Sequence, residues 1–176
     1  VDNSYFNTEF RYEALKRAKQ AIAPQPHQAA VSYDPAWKMG TVGAVAIDRK
    51  GNLAAATSTG GMTAKRYGRI GDAPIIGAGN FADNSSCAVS ATGHGEFFIR
   101  YQVASDICAR AKYQRISAAV AAKQVLAELK QAGGDGGVIV VDKKGQLSWT
   151  FNTEGMYRAL KAEGGETISE IFATKG

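Results

Sequence analysis

Gly40-Thr41-Val42-Gly43-Ala44-Val45-Ala46-Ile47-Asp48, then Arg49-Lys50-Gly51-Asn52, then Leu53-Ala54-Ala55-Ala56-Thr57-Ser58, reads as a β-hairpin built from small residues. Small side chains on both strands let a second layer approach closely. The pattern returns near the other end, where Gly137-Val138-Ile139-Val140-Val141-Asp142 and Leu147-Ser148-Trp149-Thr150-Phe151 flank the turn Lys143-Lys144-Gly145-Gln146. Between the two hairpins, Ile75 to Phe81 and Cys87 to Thr92 are predicted strands separated by the turn formers Asp83, Asn84 and Ser85. Two or three helices follow. The clearest starts at Ser117 as N-cap, runs through Val120, Leu126 and Leu129, and stops at Gly133-Gly134. Hairpin-linked strands around a helical middle favour a layered α+β sandwich over a doubly wound parallel sheet, which would need a helix between successive strands.

Ahead of the first hairpin, Phe6, Phe10, Leu15, Ala18 and Ile22 approximate helical spacing, so Phe6 to Ile22 is a predicted helix. From Ala23 to Lys38 the periodicity stops, and Pro24, Pro26 and Pro35 mark a linker or mobile loop.

The 176 residues fit one compact domain, and an apolar content of 45% with 21% charged residues is that of a globular protein. The net charge of +5 is spread along the chain, without the clustered basic stripe that nucleic-acid binding needs. Lys65-Arg66 and Lys143-Lys144 read as solvated turns. No apolar run approaches the roughly 20 residues of a membrane span. Cys87 and Cys108 form no CxxC pair and have no zinc-like histidine spacing, so they read as buried, inert thiols with no metal site or disulfide framework. Read as thiols, they fit a cytoplasmic address. The chain opens on Val1 instead of Met, which suggests a processed piece or part of a longer polypeptide.

The residues that could do chemistry crowd around the first hairpin. A linker ends at Gly40 and a strand starts at Thr41, a junction accessible to cleavage. A threonine hydroxyl needs a base beside it, and cleavage before Thr41 would supply one, because an N-terminal amine titrates near pH 8. The alternative is an ordinary β-branched strand starter. Arg69 could clamp a carboxylate with its planar fork and Asp72 could hold an ammonium, or the two could form a surface ion pair. Thr92-Gly93 closes a strand before a helix, where free backbone N–H groups could stabilise an oxyanion, although a tight turn explains it equally well. His94 could be a base, a substrate contact or simply the residue that opens a helix.

Together, Gly40-Thr41-Val42-Gly43-Ala44-Val45-Ala46, Thr57-Ser58-Thr59-Gly60-Gly61, Gly68-Arg69-Ile70-Gly71-Asp72, Gly77-Ala78-Gly79 and Thr92-Gly93-His94-Gly95-Glu96 closely resemble the plant-type asparaginases, or isoaspartyl peptidases, from about Tyr5 to Phe172. The resemblance implies a four-layer αββα sandwich of the N-terminal-nucleophile hydrolase type, with part of the N-terminal layer absent from this chain. It implies self-cleavage between Gly40 and Thr41. Residues 1–40 would then be the C-terminal part of an α subunit, with its linker over about 23–40, and residues 41–176 a β subunit opening on the nucleophile Thr41. By the same resemblance, Thr59 supports the nucleophile, Thr92 and Gly93 form the oxyanion hole, Arg69 and Asp72 hold the substrate's α-carboxylate and α-amine, and the Gly95 carbonyl meets that amine.

The implied substrates are L-asparagine and β-aspartyl dipeptides, with no cofactor. The family's sodium-binding loop lies in the preceding region, and the partner would be that missing α-subunit portion, in an αβ heterodimer that pairs into (αβ)2. Nucleic acid and membrane are not expected partners. Glycosylasparaginases share much of the pattern, but their scissile bond usually follows Asp, whereas here it would follow Gly40. A non-catalytic remnant serving as a structural or binding module is the alternative from another class.

Overall fold

The computed structural model describes residues 1–22 and 40–173. The expected linker therefore lies almost wholly outside the described residues. The chain divides into two compact units, one of residues 1–40 with 60–69 and the other of residues 41–59 with 70–176.

In the first unit, Asn3–Phe6 is a single 3-10 turn capped by Asp2, whose carboxylate accepts the Ser4 N–H at 2.7 Å. Helix α1 then spans Glu9–Ile22. The helix expected from Phe6 thus starts three residues later, because Phe6 belongs to the 3-10 turn and the Thr8 carbonyl accepts from Tyr12 to open the helix. The stretch 60–69 carries positive φ at Gly61, Ala64 and Gly68.

The second unit holds the sheets. Strands β1 (Thr41–Ile47) and β2 (Leu53–Thr59) pair antiparallel in unbroken register from Thr41↔Thr59 to Ile47↔Leu53. Strands β3 (Asn80–Ala82), β4 (Cys87–Gly93), β5 (Gly136–Asp142) and β6 (Leu147–Phe151) form an antiparallel sheet in the order β3-β4-β5-β6. Of the strand expected over Ile75 to Phe81, only its last two residues enter β3. Residues 72–79 instead form consecutive turns, with Ile75 N–H bonded to Asp72 O and Ala78 N–H to Ile75 O.

One face of the larger sheet carries helices α2 (Gly95–Tyr101), α3 (Val103–Tyr113) and α4 (Ala118–Gln131). Ser117 caps α4 as expected, accepting the Val120 N–H at 3.2 Å. Cys87, Val89 and Ala91 of β4 and Val138 and Val140 of β5 pack against Phe98, Ile107, Val125, Leu126 and Leu129 to form the core. The other face of β4 meets the β1–β2 hairpin. Strand β4 is therefore buried on both faces, which explains why it is a continuous run of buried residues instead of an alternation. The result within this unit is helices on a sheet on a second, two-stranded sheet.

A hairpin of β7 (Gly155–Lys161) and β8 (Thr167–Phe172), not anticipated from sequence, follows β6. Its Arg158 guanidinium lies 5.0 Å from the rings of both Trp149 and Phe151 and donates to the Met156, Ile171 and Phe172 carbonyls. Glu170 completes the set. No helix among the described residues is long and apolar enough to cross a membrane.

The two cysteines are not inert thiols. Cys87 and Cys108 form a disulfide between the start of β4 and α3, with Cα atoms 5.4 Å apart. The packing of α3 across β4 brings together residues 21 positions apart, a proximity no local motif announces. Joined as a disulfide, the two cysteines give no free-thiol support for a cytoplasmic address.

Candidate active site

Thr41 opens β1 and Thr59 closes β2, and as cross-strand partners they put their hydroxyls side by side. Thr41 Oγ1 donates to Thr59 Oγ1 at 3.2 Å. Alternation on β2 turns Thr57 and Thr59 to one face and Ser58 to the other, which the burial pattern repeats.

Two contacts fix how this hairpin lies on the larger sheet. At its turn end, the Leu53 N–H donates to Asn84 Oδ1 at 2.7 Å, just ahead of β4. In mid-strand, Thr57 Oγ1 and Ser90 Oγ stand 2.7 Å apart. Strand β2 therefore runs in the same sense as β4. The open end bearing Thr41 and Thr59 lies toward the Thr92–Gly93 end of β4, two residues on from Ser90. Gly43 lets the layers close, since a Cβ there would stand 2.0 Å from Ser90 Oγ.

At Gly93 the chain takes φ +149°, and a Cβ would stand 2.3 Å from the Asp135 carbonyl and 2.7 Å from Gly136 Cα. Its cross-strand partner Gly136 is equally confined, with Thr92 O at 2.2 Å from its own would-be Cβ. A glycine pair is what permits this approach. Next in the chain, His94 precedes α2 and both donates its N–H to Asp135 O at 2.9 Å and accepts the Asp135 N–H at Nδ1, at 3.3 Å. His94 thereby opens the helix and pins the β4–α2 turn to the start of β5. Gly95 is buried as the first residue of α2.

Asp72 is only 8% exposed, which the surface-pair reading did not anticipate. Its backbone abuts Gly79, where a Cβ would lie 2.5 Å from Asp72 O. The Gly79 carbonyl in turn accepts from Thr57 Oγ1 at 3.0 Å. Asp72 is thus joined through Gly79 to the hydroxyl cluster under the hairpin. Gly40 and Arg69 belong to the first unit, where Arg69 donates its N–H to Arg66 O at 3.2 Å and its guanidinium would meet a Cβ at Gly61 at 3.2 Å.

Thr41, Thr59, Thr92 and Gly93 are therefore gathered at one end of two stacked sheets. Thr57 and Gly79, which lie in the quoted motifs but had no role of their own, and Ser90 and Gly136, which the sequence did not single out, also shape that end. The alternation of Thr57-Ser58-Thr59 was a usable signal for Thr57, whereas Ser90 and Gly136 carry none, because only the stacking and the β4–β5 register give them partners.

The asparaginase family model matches residues 1–171. An isoaspartyl peptidase of Escherichia coli K12 is 49% identical over 177 residues, covering 100% of this chain and 55% of that protein. The Salmonella typhimurium isoaspartyl peptidase is 49% identical over 173 residues, 98% of this chain and 55% of its own. An isoaspartyl peptidase/L-asparaginase of Danio rerio is 44% identical over 128 residues, 72% of this chain and 41% of its own. The chain spans about half the length of these curated relatives. With the match running from residue 1 to 171 across every motif quoted above, this chain belongs to the plant-type asparaginase and isoaspartyl peptidase family.

Proposed function

We propose that this chain carries the nucleophile of a self-cleaving amidohydrolase that releases L-aspartate from L-asparagine and β-aspartyl dipeptides. The observation that carries the reading is the Thr41–Thr59 hydroxyl pair at the open end of the hairpin, toward Thr92–Gly93. The names of the relatives, isoaspartyl peptidase and isoaspartyl peptidase/L-asparaginase, support the substrate class.

In maturation the Thr41 hydroxyl attacks the Gly40 carbonyl. The acyl group passes from nitrogen to oxygen, which frees the Thr41 amine, and water then hydrolyses the resulting ester to release the Thr41 hydroxyl and the Gly40 carboxylate. Gly40 has no side chain to obstruct the attack. In turnover that amine takes the Thr41 hydroxyl proton as the oxygen attacks the substrate's side-chain amide. Thr59 holds the hydroxyl, while Thr92 and Gly93 stabilise the oxyanion. Ammonia or an amino acid leaves, and water releases aspartate from the acyl-enzyme. Arg69 pairs with the substrate α-carboxylate, and Asp72 and the Gly95 carbonyl receive its α-amine. Apart from water, this reading draws only on the chain's own hydroxyl, amine, guanidinium, carboxylate and backbone groups and calls for no cofactor.

The fuller architecture belongs to the same reading. The outer face of the hairpin exposes Val42, Ala44, Ala46, Ala54 and Ala56, a small apolar surface that a further helical layer would cover to give the four-layer αββα sandwich. We assign that layer to the α-subunit portion of the longer protein, in an αβ heterodimer that pairs into (αβ)2.

Mass spectrometry of the purified full-length protein tests the reading: two pieces should meet at Gly40–Thr41. Thr41→Ala should remain intact and Thr41→Ser should cut slowly. A Thr41→Ala protein that still yields a fragment opening at residue 41 overturns self-cleavage by this residue. Arg69→Ala should cut normally yet lose roughly a hundredfold in kcat/KM on β-aspartyl dipeptides, and unchanged hydrolysis would remove Arg69 from the site.

A further inference from the structure

Beneath the hairpin lies a hydroxyl ring, buried at Ser90 and half-buried at Thr57, with no part in the mechanism above. Thr57 Oγ1 is within hydrogen-bond distance of both the Gly79 carbonyl, at 3.0 Å, and Ser90 Oγ, at 2.7 Å. A hydroxyl has one proton, and a carbonyl can only accept. The Thr57 proton therefore goes to Gly79, and the proton between Thr57 and Ser90 is that of Ser90. The Gly79 carbonyl also accepts the Ala91 N–H at 2.9 Å. The ring thus closes through β4 on both sides, by the Ser90 side chain and by the Ala91 backbone, and Thr57 is the member that comes from the hairpin.

Ser90 is 2% exposed, and Gly43, the cross-strand partner of Thr57, closes over it. At the buried Ser90, a polar group deprived of its partner is costly, so the bonds favour one setting of the hairpin over β4. Thr59 is two residues beyond Thr57 and Thr92 two residues beyond Ser90, on the facing surfaces of the two layers.

We propose that Thr57 is a positioning residue which, through Ser90 and the Gly79 carbonyl, sets the distance between the Thr41 hydroxyl and the oxyanion-binding end of β4. The inference rests on the functional reading of Thr41 and Thr92. Gly79 keeps its Ala91 bond whether or not Thr57 is present, so Asp72, which abuts Gly79, stays in place. Loss of the Thr57 hydroxyl accordingly affects the chemical steps and leaves substrate binding nearly intact.

The test uses the full-length protein with Thr57→Val, which keeps the shape and removes the hydroxyl, Thr57→Ser, which keeps the hydroxyl, and Ser90→Ala. Rates are taken at 25 °C after circular dichroism has shown each variant folded. Thr57→Val should slow both self-cleavage and kcat by roughly 10- to 100-fold, the scale of a misplaced reacting group, with KM changed less than about threefold. Thr57→Ser should restore both to within about threefold of wild type. Ser90→Ala should show a smaller loss of the same kind and serves in place of Thr57→Val if that variant does not fold. A Thr57→Val protein with a lower melting temperature but wild-type cleavage and kcat would overturn the proposal, as would failure of Thr57→Ser to rescue.

If the wild-type protein neither cuts nor hydrolyses, the functional reading fails on its own. Crystal structures of wild type and Thr57→Val still decide the positioning claim: the open end of the hairpin should shift relative to Thr92, and an unmoved hairpin overturns it.

Discussion

The Thr41 hydroxyl donates to the Thr59 hydroxyl at 3.2 Å across the last rung of the β1–β2 ladder. The contact is long for two hydroxyls, which ordinarily sit near 2.7–2.8 Å. It orients Thr41 without locking it.

Thr59→Val should therefore spare folding and slow turnover. Losing one neutral hydrogen bond of about 1–1.5 kcal/mol corresponds to roughly a tenfold fall in kcat. Thr59→Ser, which keeps the acceptor, should lose far less. Single-turnover kinetics on matured protein separates this from a binding defect, because the acylation rate should drop while the dissociation constant holds.

Gly93→Ala should be among the most damaging single changes in the β4–α2 turn. Its methyl would meet the Asp135 carbonyl at 2.3 Å, with φ at +149°, so crowding and backbone strain combine to cost roughly 2–4 kcal/mol. Gly136→Ala should cost a similar amount, and the double variant should depart from additivity because the two glycines face each other. Urea unfolding of the three variants measures both effects.

Removing the Cys87–Cys108 bridge as a Cys87→Ala/Cys108→Ala pair should lower stability. For a sequence separation of 21, the chain-entropy model puts the loss at about 3 kcal/mol. Both residues are essentially fully buried, so reductant should act on the native protein only as fast as the core opens. Thiol titration in denaturant without reductant should find neither cysteine free, and two titratable thiols would contradict the bridge.

Acid should weaken the fold through Asp83 in particular. Bonds from the Ser85 backbone and side chain, with the Lys112 ammonium at 3.1 Å, hold its carboxyl at about 2, well below its ordinary 3.8. The folded state therefore favours the charged form. Its contribution is complete above about pH 4 and disappears as pH falls toward 2. Melting temperatures between pH 5 and pH 2 should fall less steeply in Asp83→Asn than in wild type. Arg110 likewise holds Glu128 below its ordinary 4.5, so Glu128→Gln should flatten the upper part of the same window.

Both hairpins were legible from small and β-branched runs around Gly-containing turns, and α4 from its Ser117 cap, because those signals are local. The bridge was not, since Cys87 and Cys108 meet only when α3 lies across β4. Residues 72–79 misled because Ile75 and Ile76 look like strand residues, while the turns that Asp72 and Gly79 shape depend on close backbone packing. The β7–β8 hairpin escaped notice because its alternation is broken by Arg158, a charge in a buried position made acceptable by Trp149 and Phe151 of β6. At the candidate site, the loop-to-strand junction pointed to Thr41, and the family resemblance implied Thr59, Thr92 and Gly93. Thr57 and Ser90 needed the stacking of two sheets to become visible as a pair.

The position of Thr41 at the outermost rung of an unbroken ladder also bears on what scission would do to the rest of the molecule. The bond to Gly40 lies just outside the Thr41↔Thr59 pair, so breaking it removes no rung between Thr41 and Ile47. The new terminus would be tethered from birth by its neighbouring strand, with no relaxation of the sheet to follow. Severing the chain there alters its connectivity while leaving the β1–β2 ladder whole, so a cut molecule should keep the strand signal of an uncut one in circular dichroism and gain one amine and one carboxylate.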